Sequence, residues 1–180
     1  MLASQEDSVV VVVDVQPSFL RVIHEAEMVV NRTRFLVKCA HLLGVPVVAT
    51  EQYPERMGGS EPSLGLSGVV VGKREFGCWA NHDFRSAVVL SMRRQVVVVG
   101  IESHICVAQT CLEMSEAGFE VQLAVDAVSA REEDQHKVAV KRLRDAGVAV
   151  THTESVVYEW MRSSAHPRFR DVVDVVKREQ

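Results

Sequence analysis

In Ser8-Val9-Val10-Val11-Val12-Val13-Asp14-Val15-Gln16, five consecutive valines run straight into a carboxylate. β-branched side chains favour extended backbone, and an unbroken apolar run suits a strand covered on both faces rather than one. A buried strand is therefore expected over Ser8–Val15. Val69–Val71 and Val96–Val99 repeat the pattern, and valine supplies 36 of the 180 residues. No apolar run reaches the ~18 residues that a membrane-spanning helix needs.

Working outward, the periodicity switches between strand and helix. Met28–Leu43 has helical apolar spacing and stops at Gly44, a favourable residue beyond a helix end. Pro46–Thr50 reads as a second strand, and Val69–Gly72 as a third. Glu51–Gly68 between them is rich in Gly and Pro and reads as a long loop, a length that favours a functional part such as a lid. Asp83–Arg94 reads as a helix with Asp83 as its cap, and Gln95–Gly100 as the fourth strand. A helix over Cys106–Ala117, a strand over Phe119–Val125 and a helix over Arg131–Ala146 follow. Val148–Thr153 is the sixth expected strand, and Pro167–Lys177 a last helix. Alternating strands and helices predict a parallel six-stranded sheet with helices on both faces, a three-layer α/β/α Rossmann-like fold. No linker or repeat interrupts it, so one domain is expected over residues 1–180.

Composition narrows the function. Lys and Arg number 20 against 24 Asp and Glu, a net charge of -4. A general phosphate-binding surface needs a basic excess, so no nucleic-acid partner and no membrane partner are expected, but rather a small-molecule substrate. Cys39, Cys78, Cys106 and Cys111 form no CxxC pair. Met1–Ser8 carries acidic residues and no basic one, unlike a presequence. Free thiols in a reducing, cytoplasmic setting are expected, with mitochondrial association left open. No GxGxxG follows the first strand, and there is no P-loop or HExxH motif, so neither cofactor nor metal is expected.

In open parallel sheets chemistry collects beyond the carboxyl ends of the strands. Asp14 ends the first strand and Lys73 follows the third. Lys73 either pairs with Asp14 or is simply solvated. After the fourth strand, Cys106 opens a helix, where the helix dipole favours thiolate and hence nucleophilicity. A buried structural cysteine is the alternative, and Cys39 and Cys111, inside helices, fit it better. His104 is a rival base or a loop histidine near the pocket. Tyr53, Phe76 and Trp79 line a pocket or pack in the core.

Asp14-Val15-Gln16, Lys73 and Gly100-Ile101-Glu102-Ser103-His104-Ile105-Cys106-Val107, in this order and at these strand ends, resemble the isochorismatase-like cysteine hydrolases. Thr50-Glu51-Gln52-Tyr53-Pro54, Thr153-Glu154-Ser155-Val156 and His166-Pro167 are similar to the isochorismatase-domain-containing subgroup. The resemblance spans about Ser8 to Lys177. It implies an Asp14–Lys73–Cys106 triad that forms and hydrolyses a thioester. It also implies a non-proline cis peptide at Ile101–Glu102, which turns the amides of Glu102 and Cys106 toward one oxyanion position. Gln16 and Phe19 would join Tyr53, Phe76, Trp79 and His104 in binding substrate. A homo-oligomer is implied too, and the apolar Val156–Met161 segment is its expected surface.

Two departures bear on substrate. Thr50-Glu51-Gln52-Tyr53 stands where nicotinamidases carry an Asp-x-His metal motif, which speaks against metal and nicotinamide. Members that cleave isochorismate need no cysteine, so Cys106 favours acyl chemistry. The expectation is a metal-independent cysteine hydrolase cleaving a C–N bond of a small amide or related carbonyl compound. A nuclease or a non-enzymatic scaffold with a vestigial pocket are the alternatives.

Overall fold

A computed structural model describes residues 2–179. The valine run is strand β1 (Ser8–Val13), buried throughout. Its side chains alternate: Val9, Val11 and Val13 enter one core, Val10 and Val12 the other. Each fully buried valine contributes about 1.5–3 kcal/mol relative to an exposed one.

Helices α1 (Pro17–Leu20) and α2 (Ala26–Leu43) lead to β2 (Val47–Gln52), α3 (Pro54–Met57) and β3 (Val69–Lys73). Next come α4 (His82–Leu90), β4 (Gln95–Ile101), α5 (Cys106–Glu116) and β5 (Glu120–Ser129). The chain ends with α6 (Glu133–Asp145), β6 (Ala149–Thr151), α7 (Thr153–Met161) and α8 (Phe169–Arg178). All strand pairs are parallel, in the order β3-β2-β1-β4-β5-β6. One core packs α2, α7 and α8 on the sheet through Phe35, Leu36, Val157, Trp160 and Val172. The other packs α4, α5 and α6 through Phe84, Val88, Val107, Met114 and Leu143. This is the expected three-layer arrangement.

Strand order reverses between β1 and β4, and their ends meet where Val13 is in register with Gly100. Gly100 has φ +114°, and a Cβ there would lie 2.1 Å from the Val13 carbonyl oxygen. Only glycine allows this approach, so it sets how closely the chain after β4 lies to Asp14.

The structure corrects several expectations. Val148–Thr153 is not all strand: β6 stops at Thr151 and α7 starts at Thr153. Val156, Val157, Trp160 and Met161 are buried in the first core, so this segment does not form an apolar outer surface. β5 runs to Ser129, past the expected end at Val125. Asn81, not Asp83, caps α4, its side chain accepting from the amides of Asp83 and Phe84. Nor is 51–68 an unanchored loop. It holds α3 and a 3₁₀ turn, buries Leu64 and is tied down by the Glu61 amide donating to the Val15 carbonyl.

Candidate active site

β1 delivers Asp14 to the carboxyl edge, and the chain turns there in a left-handed conformation with φ 50°. The Asp14 amide donates to the Thr50 carbonyl, within β2. The Thr50 hydroxyl in turn donates to Asp14 Oδ1 at 2.7 Å. Lys73, the last residue of β3, donates from Nζ to Asp14 Oδ2 at 2.7 Å. It also donates to Gln52 Oε1 at 2.6 Å and to the Glu75 and Phe76 carbonyls at 3.0 and 3.3 Å. Burial alone would pull the Lys73 ammonium down. The Asp14 charge opposes it, and the Lys73 pKa is held above the ordinary value. Four acceptors around three protons leave this ammonium saturated.

Cys106 is the first residue of α5. Its thiol shares a cavity of about 100 Å³ with Asp14, walled by Phe19, Phe76, Ile101 and Ile105 and edged by Gln52 and Glu102. Burial pushes the thiol pKa up, the Asp14 carboxylate pushes it further, and Lys73 only partly opposes them. Around this sulfur the balance thus favours the thiol, against the pull of the helix dipole toward thiolate. The Thr110 hydroxyl donates to the Cys106 carbonyl at 2.6 Å and accepts from the Cys78 amide at 3.0 Å. This fixes the start of α5 against the segment that follows Lys73.

The peptide between Ile101 and Glu102 is cis. The Glu102 carbonyl accepts from the amides of Ile105 and Val107 and folds the chain back to α5. Among the described residues, no acceptor meets the amides of Glu102 and Cys106. The Glu102 carboxylate accepts from Arg131 Nε at 3.0 Å and from the Arg131 amide at 3.3 Å.

Of the expected binding residues, Phe19 and Phe76 reach the cavity and four do not. Gln16 is fully buried as a clamp: its Nε2 donates to the Gly58 and Gln52 carbonyls and its Oε1 accepts from the Gln52 amide. Tyr53 stacks under the Arg74 guanidinium, 3.6 Å from the ring centre. Trp79 packs edge-on against Phe119 at 5.0 Å. His104 stays off the wall, with a buried Nδ1 that has no partner. Sequence reasoning missed Gln52, Ile101 and Ile105 as wall residues. Register offers a signal for Gln52, which pairs directly with Lys73. Cys39, Cys78 and Cys111 are fully buried, and burial raises Cys39 to about 12 and Cys78 to about 11. Among the described residues, Cys106 is the one cysteine on the cavity.

Known proteins share this architecture. The isochorismatase domain model matches residues 8–155. The chain is 32% identical over 170 residues to isochorismatase domain-containing protein 2 of Danio rerio, covering 94% of this chain and 86% of that one. The structure of the MAR1 ribonuclease from Caenorhabditis elegans superposes with TM-score 0.92 at 29% identity, covering 98% and 93% of the two chains. The Escherichia coli YcaC gene product, described as an octameric hydrolase of unknown specificity, superposes with TM-score 0.87 at 22% identity over 100% and 98% of the chains. Taken with the family match across most of its length, these likenesses place the chain in the isochorismatase family of hydrolases.

Proposed function

We propose that this protein is a metal-independent cysteine hydrolase that cleaves the C–N bond of a small amide or related carbonyl compound. The observation that carries this is the meeting of Asp14 and Cys106 in one cavity, with Lys73 fixed behind the carboxylate. Asp14 takes the thiol proton as Cys106 Sγ attacks the carbonyl carbon. The developing oxyanion accepts from the unpartnered amides of Glu102 and Cys106, a kind of contact worth about 10²–10³ in rate per donor. As the tetrahedral intermediate collapses, the C–N bond breaks and Asp14 returns the proton to the leaving nitrogen. Water, deprotonated by Asp14, then attacks the thioester and frees the acid and the thiol. Lys73 and Thr50 keep both Asp14 oxygens oriented and do not meet the substrate.

Competitive alkylation with mass spectrometry tests the nucleophile. Cys106 should react well ahead of Cys39, and prior dialysis against EDTA should change neither that order nor turnover. Equal rates at the two cysteines, together with full activity in Cys106→Ala, would sink the proposal.

The likeness to a protein named a ribonuclease favours a second reading, cleavage of RNA. A cavity of about 100 Å³ is too small to take in a nucleotide. RNA cleavage by the purified chain, lost in Asp14→Ala, would support it nonetheless. The octameric relative also leads us to propose a homo-oligomer. Light scattering should give a multiple of 20.0 kDa, and a lone 20.0 kDa species would refute it.

A further inference from the structure

We infer that the cavity takes a short, uncharged carbonyl compound with one polar group and turns away carboxylates of the same size. This rests on the cysteine hydrolase reading and concerns which substrates that site accepts.

Charge is the first argument. Two carboxylates, Asp14 and Glu102, edge the cavity, and among the described residues no cation lies on its wall. Lys73 is buried behind Asp14 with all its protons directed to protein acceptors. Arg131 is turned to Glu102 and is not a wall residue. Lys73 and Arg131 offset the two carboxylates but stand behind them, so an anionic substrate would meet the carboxylates first, with no cation free to pair with it.

Hydrogen bonding is the second. Gln52 is held at both ends, since its Oε1 accepts from Lys73 and its Nε2 donates one of its two protons to the Arg74 carbonyl at 2.9 Å. The Glu102 and Cys106 amides meet no acceptor among the described residues, and such a pair would suit a single carbonyl oxygen. Phe19, Ile101 and Ile105 offer the rest of the substrate only apolar contact.

Size is the third. A cavity of about 150 Å³ just holds benzene. The present one, about 100 Å³, suits an acyl group of about four or five non-hydrogen atoms.

Alkylating probes test this without a known substrate, because the Cys106 sulfur displaces iodide from either reagent. Rates at Cys106 with iodoacetamide, iodoacetate and N-phenyliodoacetamide are each divided by the rate with N-acetylcysteinamide as a free thiol. The expected result is at least a tenfold preference for iodoacetamide over both others. In Glu102→Gln, which removes one carboxylate and releases Arg131, the iodoacetate-to-iodoacetamide ratio should rise at least fivefold. Relative rates matching the free thiol within twofold, with Cys106 reactive, would overturn the selectivity and leave the nucleophile standing. No reaction with any probe would instead overturn the hydrolase reading, and this inference with it.

Discussion

Lys73 directs every proton of its ammonium into the protein, and this makes Asp14 and Lys73 unequal partners. Asp14 loses its salt-bridge partner when Lys73 is removed, keeping only the neutral Thr50 hydroxyl and Cys106 thiol. Lys73 without Asp14 still has Gln52 and two carbonyls. Breaking a buried pair from one side typically costs about 3–5 kcal/mol. Lys73→Met should therefore destabilise the fold by that order, and Asp14→Asn by clearly less, read as shifts in urea midpoint. Equal losses would show that the three other acceptors do not support Lys73. Both changes should cut turnover by at least about 10²-fold, Asp14→Asn because the base is gone and Lys73→Met because it is misplaced. The residue scale is also where the sequence says least about which side chains line the cavity. Asp14 and Lys73, which the structure brings into contact, each stand at the end of a valine run, whereas Cys106 follows Glu102, Ser103 and His104 and is singled out by opening a helix. Gln16 was not legible, because its partners, Gln52 and Gly58, lie 36 and 42 residues away. Tyr53 and Trp79 stand near the right edge, but their faces are taken by Arg74 and Phe119.

At the scale of elements, the junction of β1 and β4 sets the geometry. Gly100→Ala would press a Cβ onto the Val13 carbonyl and hold alanine at φ +114°. Backbone strain and overpacking each cost about 1–3 kcal/mol. A loss of about 2–4 kcal/mol in urea unfolding is expected, with a fall in turnover as Asp14 and Cys106 move apart. An unchanged midpoint would mean that the two strands can separate freely. Valine runs made β1 and β4 readable, because strands covered on both faces need no polar alternation; β3 carries the same signature as an edge strand, with Val69 and Val70 exposed. β5 hid its second half because Asp126 interrupts the apolar run. That carboxylate is satisfied by the Thr153 amide and hydroxyl, at 2.8 and 2.7 Å, from the start of α7. α7 itself was obscured because Val148–Thr153 reads as a strand up to its first residue, and only tertiary packing shows Trp160 and Met161 facing the core.

Across the whole molecule, burial of thiols couples stability to alkaline pH. Cys39 and Cys78 titrate near 12 and 11 in the fold against an ordinary 9.0, because burial disfavours their thiolates. Above about pH 9 the unfolded chain binds fewer protons than the native one, so stability falls as pH rises, by up to about 1.4 kcal/mol per pH unit for each thiol. Lys73, raised above its ordinary 10.5, acts in the same direction: its contribution is complete below that value and is lost as pH climbs through the folded pKa. Urea midpoints should thus decline from about pH 9 upward, and Cys39→Ala should flatten the decline. A flat profile to pH 11 would contradict the burial of these groups. The central claim concerns one atom, Cys106 Sγ. Its most direct test is turnover of a panel of short-chain primary amides by the wild type and Cys106→Ala, before and after chelation. Hydrolysis that survives chelation and falls at least 10²-fold in Cys106→Ala is the predicted result. Hydrolysis that persists undiminished in Cys106→Ala, or that disappears on chelation, would contradict it.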